Sequence, residues 1–353
     1  PAHPQPDEAT VEALGRQSSA ADALVAVGSG TINDLCKYAA ARADKPYVVF
    51  ATAPSMNGYT SMNASITVDG LKRTLPARVP AAVFVDLSVL AAAPARMIRA
   101  GVGDSLCRAT AQADWLLAHL LRGDLYRALP FELLAEEEAR LLSDPEGLLR
   151  GDLKAMGSLA RTLILSGLGM TLCGGSYPAS QGEHLISHYV ELRLGARHGE
   201  DPAAEPLHGE QIALTTLTMA RLQRQVLERE RIRVHPSTVG QAELLEHYGP
   251  ELGPGCWREF LPKRLDERSA AALNDRLARE WPKVREAIAA VCLAPQSVAS
   301  VLERIGAPRS PEALGWPRDL YAEAVAHAAA LRNRYTFLDL ARDSRNLDSA
   351  ALL

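Results

Sequence analysis

Three short polar segments stand inside otherwise apolar, helix-forming sequence, and they carry side chains that bind divalent metals. Asp104 ends a Gly-Val-Gly-Asp segment, His184 and His188 lie four residues apart, and His208 precedes Gly-Glu-Gln. Residues four apart point to one face of a helix. One carboxylate and two imidazoles are the usual protein ligands of a catalytic divalent cation, with further positions open to substrate or water. The segments therefore predict a metal site.

Each of these residues also has an ordinary structural explanation. Asp104 follows Gly-Val-Gly where a helix would open, and a carboxylate is a good helix N-cap. Histidines four apart are often only a partly exposed helix face, and Glu183 beside them is expected to face elsewhere. Taken together, the three glycine-flanked segments favour the metal site. Four further histidines lack such neighbours, and we interpret them as ordinary surface or core residues: His119, His198, His247 and His327.

A fourth segment, residues 27–34, has the pattern of a strand that runs into a phosphate-holding turn. Gly28 and Gly30 leave room for a backbone to approach a pyrophosphate, and Thr31 adds a hydroxyl donor. The helix that follows would point its free N–H groups at that anion. Asn33 stands where the usual glycine-rich fingerprint has its third glycine. A plain strand-to-helix turn therefore explains the segment about as well as a dinucleotide site does.

The elements that must position these residues change in character along the chain. Apolar runs predict buried strands at residues 23–27, 47–50 and 82–85, and Asp69-Gly70 predicts a hairpin between residues 65–68 and 71–74. From residue 87 onward, helical periodicity dominates. We therefore predict an α/β, Rossmann-like nucleotide-binding domain in residues 1–86, followed by an all-α metal- and substrate-binding domain in residues 87–353. The active site is expected in the cleft between them.

Composition narrows the class of protein. The chain has 353 residues, a formal net charge of -4 and five scattered cysteines without a CxxC pair. These values favour neither nucleic acid nor an anionic membrane as partner, and they suit reduced cytosolic thiols. No continuous apolar run reaches the length of a membrane span. We expect a cytoplasmic protein without membrane insertion. Its nucleotide domain is expected to lack its first strands, since no earlier strand supplies the acidic residue that holds the adenosine ribose.

The combination of segments resembles the iron-containing alcohol dehydrogenase and dehydroquinate synthase superfamily. Within it, the chain is most similar to the sn-glycerol-1-phosphate dehydrogenase family, particularly its AraM-type branch. The resemblance extends over essentially the whole chain. It is carried by Gly28-Ser-Gly-Thr-Ile-Asn-Asp34, Thr52-Ala-Pro-Ser-Met-Asn-Gly-Tyr-Thr-Ser61, Gly101-Val-Gly-Asp104, Gly182-Glu-His-Leu-Ile-Ser-His188, His208-Gly-Glu-Gln211 and Arg334-Tyr-Thr-Phe-Leu-Asp339.

The resemblance implies a role for individual residues. Asp104, His184 and His208 would be the metal ligands, and His188 would face the substrate. The cofactor would be bound by Gly28, Ser29, Gly30, Thr31, Ile32, Thr52, Ser55 and Ser61. Asn57 would touch the substrate, although family members commonly have an aspartate there, and an amide cannot accept a proton from a substrate hydroxyl. Tyr177 stands where many relatives have an arginine, which would rearrange phosphate recognition.

These implications lead to one functional hypothesis and two alternatives. The hypothesis is metal-dependent, reversible reduction of dihydroxyacetone phosphate to sn-glycerol 1-phosphate with NADH or NADPH. Zn²⁺ is the first choice of metal, Ni²⁺ the second, and Fe²⁺ also suits the ligands. The alternatives are another enzyme of the superfamily, such as a polyol dehydrogenase, or a catalytically impaired homologue that binds metal and nucleotide. The resemblance further implies a homodimer or larger homo-oligomer.

Overall fold

The computed structural model of the chain describes residues 4–68, 71–195 and 205–352. All five of its strands lie in the first 85 residues: β1 (Leu24–Gly28), β2 (Tyr47–Ala51), β3 (Asn63–Val68), β4 (Leu71–Pro76) and β5 (Ala82–Val85). Strands β1, β2 and β5 form a parallel sheet in that order, whereas β3 and β4 pair antiparallel. The predicted strands and hairpin pairing are confirmed. The turn at Asp69-Gly70 lies outside the described residues.

Helices make up most of the remaining described residues. The α-helices are α1 (Glu8–Gln17), α2 (Gly30–Arg42), α3 (Leu87–Ala91), α4 (Ala95–Arg122), α5 (Leu129–Glu132), α6 (Ala135–Ser143), α7 (Pro145–Leu149), α8 (Leu153–Leu172), α9 (Gly182–Leu194), α10 (His208–Leu227), α11 (Gln241–Phe260), α12 (Glu267–Ala289), α13 (Pro295–Ile305), α14 (Arg318–His327) and α15 (Phe337–Asp343). Short 3₁₀ turns cover Leu261–Lys263, Glu312–Leu314 and Ala328–Leu331. An α/β segment followed by helices is the predicted fold class.

Two hydrophobic cores hold these elements together, and they do not separate at residue 86. One core lies wholly within the helical part of the chain. The other joins strand residues such as Ala26 and Val49 to Val102 of α4, Leu163 of α8 and Val301 of α13. The secondary structure therefore changes where the sequence predicts, while the packing continues across that point. The division into two domains at residue 86 stays a prediction.

One prediction about a helix is wrong. The prediction of a helix opening at Asp104 fails because α4 already begins at Ala95, so Asp104 lies inside the helix and cannot be its N-cap. Helix α11 is kinked at Gly249, which has a φ of 77°.

One helix of the described residues, α8, is long and apolar enough to cross a membrane by length and composition alone. Of its most apolar window, 61% is buried inside the protein. The helix packs against α3, α4, α5, α6 and α7, with Met156, Leu159 and Leu163 turned into the core. These contacts are those of a core helix, which can be as long and as apolar as a membrane-spanning helix.

Candidate active site

Asp104 is the centre of the predicted metal cluster. Its carboxylate is 1% exposed, and its Oδ2 accepts a hydrogen bond of 2.6 Å from the backbone N–H of Asn57. Within the described part of the chain, Oδ1 has no hydrogen-bond partner. Instead, Oδ1 lies 4.0 Å from Nε2 of His184 and 3.9 Å from Nε2 of His208. A buried carboxylate oxygen that faces two imidazole nitrogens is an arrangement that can bind a cation between them.

The three side chains fit such a cation. Asp104, His184 and His208 each offer one ligand atom, and these atoms all lie within 4.8 Å of one another. Ligand atoms about 2.1 Å from a tetrahedral metal lie roughly 3.5 Å apart, so a small inward movement would complete the site. Burial raises the pKa of Asp104 above its ordinary value. A bound cation would offset that cost by favouring the carboxylate. Helices α4, α9 and α10 thus each bring one of the three side chains to the cluster, and their role as metal ligands stays a prediction.

A second group of possible ligands, Cys107, Glu183 and His184, lies on the other side of the His184 ring. His184 Nδ1 is 3.0 Å from Glu183 Oε1, so this group would use Nδ1 instead of Nε2. The Cys107 thiol donates a hydrogen bond to the Asp104 carbonyl oxygen, and burial raises its pKa well above the ordinary value. A protonated thiol is a poor metal ligand. The set containing Asp104 is therefore the better metal site.

Glycines explain why the ligand-bearing helices approach so closely. A Cβ atom on Gly103 would stand 2.8 Å from the Cβ of Ala213 on α10 and closer still to the Gly209 carbonyl oxygen. A Cβ atom on Gly209 would meet the backbone of Ala100 on α4. Each helix thus presents a glycine to the backbone of the other. These contacts place Asp104, next to Gly103, beside His208, next to Gly209.

His188 lies beside the cluster on helix α9. Its ring centroid is 5.8 Å from that of His184 and 6.3 Å from that of His208. It is half-buried, whereas His184 is buried. His188 thus lies next to the cluster without belonging to the group of possible ligand atoms, and its contact with substrate stays a prediction.

A ten-residue segment, residues 52–61, joins the metal cluster to the predicted nucleotide turn. At one end, the Thr52 N–H donates to the Gly28 carbonyl oxygen at 3.1 Å, directly at the end of β1. At the other end, the Asn57 N–H holds Asp104, and its side-chain amide lies 3.5 Å from the Asp104 carbonyl oxygen. We call residues 52–61 the bridging loop. Asn57 thus reaches the cluster, and its contact with substrate stays a prediction.

The turn after β1 has the geometry of an anion site. Ser29 occupies the N-cap of the 13-residue helix α2 without a side-chain hydrogen bond to the helix, and α2 begins at Gly30. The backbone N–H groups of Gly30, Thr31 and Ile32 therefore lie at the positively polarised end of the helix dipole. Gly28 has a packing role as well, because a Cβ there would stand 2.6 Å from the Ile32 Cβ.

Two other predicted cofactor residues lie in the bridging loop. Ser55 is half-buried. The Ser61 hydroxyl donates to the Gly58 and Asn63 carbonyl oxygens and lies 3.2 Å from the Lys37 ammonium. The hydrogen bonds of the Ser61 hydroxyl thus stay within the protein. That Ser61 lies near the nicotinamide stays a prediction.

Sequence reasoning missed two charged residues that hold the site. Lys37, fully buried on α2, donates to the Gly58 and Asn63 carbonyl oxygens and to Ser61, and burial lowers its pKa to about 8. Glu183 was expected to face elsewhere, and that prediction is wrong because its carboxylate contacts His184. Neither residue can be recognised from its neighbours in the sequence. The partners of Lys37 are distant along the chain, and the contact of Glu183 with His184 depends on the Glu183 rotamer.

The four histidines predicted to be ordinary have different outcomes. His119 lies on α4, where it bonds the Asp124 carbonyl oxygen. His198 lies outside the described residues. The rings of His247, on α11, and His327, the last residue of α14, stack with centroids 4.1 Å apart, and their interpretation as ordinary residues stays a prediction. Burial lowers the pKa of both.

Tyr177 has a defined place next to the metal-binding helix. Its ring stacks on Trp115 with centroids 5.7 Å apart. The guanidinium carbon of Arg334 lies 4.7 Å from the centroid of the Tyr177 ring. Arg334 also donates to the Ser176 hydroxyl and the Ser180 carbonyl oxygen. An arginine is thus present beside position 177, supplied from a distant part of the chain.

The fold and the site together define the class of protein. The chain superimposes on a probable glycerol dehydrogenase from Sinorhizobium meliloti 1021 with a TM-score of 0.60 and 19% identity, covering 99% of this chain and 80% of that one. Glycerol dehydrogenase from Schizosaccharomyces pombe gives the same TM-score at 17% identity, covering 99% and 72%. Residues 2–94 match the family described as iron-containing alcohol dehydrogenase. The fold is that of these dehydrogenases.

Curated relatives narrow the class. A protein from Geobacillus stearothermophilus named glycerol-1-phosphate dehydrogenase (NAD(P)+) is 30% identical over 345 residues, which cover 95% of this chain and 77% of that protein. A protein of the same name from Pyrococcus furiosus is 40% identical over 198 residues, covering 56% and 55%. The chain belongs to the iron-containing alcohol dehydrogenase family, on the branch whose members carry that name, and it is an oxidoreductase.

Proposed function

We propose that the chain reversibly reduces dihydroxyacetone phosphate to sn-glycerol 1-phosphate, using NADH or NADPH and a divalent metal. The observation that supports this most directly is the bridging loop. Its Thr52 bonds the end of β1 beside the anion-binding turn, and its Asn57 bonds the Asp104 carboxylate. One short loop thus touches both a dinucleotide-type turn and a metal-type cluster. Hydride transfer to a polarised ketone needs these two sites side by side.

The cofactor side of the reaction rests on the turn after β1. Backbone N–H groups of Gly30, Thr31 and Ile32 would bind the pyrophosphate, with the Ser29 hydroxyl available as a further donor. Thr52 and Ser55 would contact the nucleotide from the bridging loop. The nicotinamide is the source of the hydride. The relatives' name covers both NAD+ and NADP+, so we propose that either cofactor binds.

The metal side rests on Asp104, His184 and His208. A divalent cation held there would supply Lewis-acid polarisation of the ketone oxygen and favour the developing negative charge on it. Because Oδ2 of Asp104 is occupied by Asn57, the carboxylate would offer Oδ1 alone. Two imidazoles and one carboxylate suit Zn²⁺ first, Ni²⁺ second and also Fe²⁺.

The proton that completes the alcohol would come from His188. Its ring lies beside both histidine ligands but outside the group of ligand atoms, and an imidazole carries and releases a proton near neutral pH. Asn57 can orient a substrate hydroxyl by hydrogen bonding, but its amide cannot take a proton. His188 is therefore the proposed donor of this proton.

The phosphate group distinguishes the proposed substrate from that of a polyol dehydrogenase. The relatives act, by name, on glycerol 1-phosphate, and loss of a hydride from its secondary carbon together with the proton of the hydroxyl group there gives dihydroxyacetone phosphate. Arg334 is half-buried and lies beside Tyr177, the position where relatives carry an arginine, so we propose that it contacts the substrate phosphate. A polyol dehydrogenase would accept glycerol as well as its phosphate, so the two substrates are compared directly.

The experiment uses protein stripped by a chelator and refilled separately with Zn²⁺, Ni²⁺ or Fe²⁺. Oxidation of NADH and NADPH is followed with dihydroxyacetone phosphate, and the chirality of the product is determined. We expect metal-dependent turnover that Asp104→Asn abolishes together with metal binding. His119→Ala, a histidine change outside the cluster, is the matched control and should alter neither. Absence of turnover with every metal, despite stoichiometric metal and nucleotide binding, would indicate a non-catalytic homologue instead.

The His188 proposal has its own variant. His188→Ala should lower kcat by about 100-fold or more, the usual contribution of a general acid, while metal content stays at the parent value. An unchanged kcat in His188→Ala would remove this residue from the mechanism.

We also propose that the chain forms a homodimer or larger homo-oligomer. Light scattering on the same samples tests this assembly.

A further inference from the structure

We propose that Glu183 is a positioning residue that fixes the ring orientation and the tautomer of His184 for metal binding. The carboxylate of Glu183 is fully buried, and its Oε1 lies 3.0 Å from His184 Nδ1. When Nδ1 donates its proton to Glu183, Nε2 is left as the unprotonated nitrogen. That nitrogen is the one that faces Asp104. The inference rests on the metal site of the proposed function and not on its substrate.

The Glu183 carboxylate is itself held in place by three donors. Oε1 also accepts from the Gln181 N–H at 2.7 Å, and Oε2 accepts from the Thr110 hydroxyl at 3.1 Å. The contact with His184 is therefore one of a set that leaves the carboxylate little freedom to rotate. Carboxylates that accept from a metal-binding histidine increase its basicity and orient its ring, and removing them weakens metal binding about 10–100-fold.

The helix that carries both residues is anchored independently of Glu183. The first N–H of α9, on Gly182, donates to Asp114 Oδ2 on helix α4 at 2.9 Å. Asp114 also accepts from the Phe337 N–H at the start of α15. The backbone position of His184 is thus fixed by Asp114, while the rotation of its ring is left to Glu183. Changes at Glu183 should act on the ring and much less on the helix.

The test is metal affinity, measured by competition with a chelating dye for Zn²⁺ and Co²⁺, together with the visible spectrum of the Co²⁺ form. Glu183→Gln keeps an oxygen for the Gln181 N–H and removes the charge that favours the Nδ1-protonated tautomer. We expect its dissociation constants to rise about 10–100-fold and its Co²⁺ spectrum to change. Glu138→Gln makes the same carboxylate-to-amide change at another buried glutamate, which pairs with Arg108 and not with His184. It is the matched control and should change affinity less than threefold.

Each outcome decides the matter. Metal binding by Glu183→Gln within threefold of the parent, with the same Co²⁺ spectrum, would overturn the proposal. If that variant does not fold, Glu183→Asp takes its place: its shorter carboxylate cannot reach Nδ1 in the same geometry, so parent-like affinity would again overturn it. A parent protein that binds metal in this site but turns over no substrate defeats the proposed function alone. A parent that binds no divalent metal defeats both.

Discussion

Replacing Gly103 by alanine tests whether close backbone approach sets the metal site. Gly103 lies inside helix α4, immediately before Asp104, and it faces helix α10. The new Cβ would stand 2.8 Å from the Ala213 Cβ, whereas ordinary contacts begin at 3.4 Å. The helices would therefore have to separate by at least 0.6 Å (3.4 Å less 2.8 Å), and further at the Gly209 carbonyl oxygen, which is closer still.

Two opposing terms set the effect on stability. Alanine is favoured over glycine in a helix by about 1 kcal/mol. Overpacking a rigid contact costs about 1–3 kcal/mol, and backbone atoms yield less readily than side chains. We expect a net loss of about 1–2 kcal/mol in the free energy of unfolding. The larger effect falls on metal binding, because a 0.6 Å displacement exceeds the roughly 0.2 Å tolerance of metal–ligand distances.

The assay combines thermal unfolding of metal-free protein with metal affinity by chelator competition. We expect Gly103→Ala to bind Zn²⁺ roughly 10–100-fold more weakly. Gly157→Ala on α8 is the matched control, because its Cβ would meet no atom closer than 3.5 Å. It should raise stability by about 0.5–1 kcal/mol and leave affinity unchanged. If Gly103→Ala behaved like Gly157→Ala in both measurements, the close approach of α4 and α10 would not position Asp104.

Two further predictions concern buried charge and pH. Lys37→Met removes the ammonium donor from two acceptors of the bridging loop and from the Asn63 carbonyl oxygen, so the free energy of unfolding should fall by roughly 1–3 kcal/mol and KM for NAD(P)H should rise. Parent-like values in denaturant titration and kinetics would contradict this. Burial lowers the pKa of His247 and His327, so the unfolded chain binds protons near pH 6.5 that the folded chain does not. The Tm should therefore fall as pH drops below about 6.5, and it should fall less steeply in His327→Phe than in the parent protein. Equal slopes of Tm against pH in the two proteins would refute this prediction.

The strands and the clustering of Asp104, His184 and His208 were predictable because their signals are local. Buried parallel strands appear as continuous apolar runs, and the predicted run at residues 47–50 lies inside β2. The glycines beside Asp104 and His208 also stand next to the residues they serve, so they are visible in the sequence. Their function differs from the one expected. Gly103 does not open a helix; it lets α4 approach α10 in the middle of a 28-residue helix.

The residues that support the site could not be predicted, because their partners are distant in sequence or depend on a rotamer. Lys37 reaches the bridging loop 21 and 24 residues away. Glu183 precedes His184, and neighbours along a helix usually point about 100° apart, which predicts no contact. His247 and His327 meet only because α11 packs near α14. Periodicity gives the face of a helix, but it does not give the helix that covers that face.

The contacts of the bridging loop bear on how the cofactor turn and the metal cluster move relative to each other. A Cβ on Gly101 of α4 would meet the Pro54 carbonyl oxygen, and a Cβ on Gly167 of α8 would stand 2.7 Å from the Asn57 carbonyl oxygen. Lys37 of α2 holds the same loop from the sheet side. Backbone-to-backbone contacts without intervening side chains tolerate little sliding, since interiors are packed at crystal-like density. A hinge at residue 86 that separated the two sites would have to break these contacts. The distance between the turn after β1 and Asp104 is therefore set by the fold.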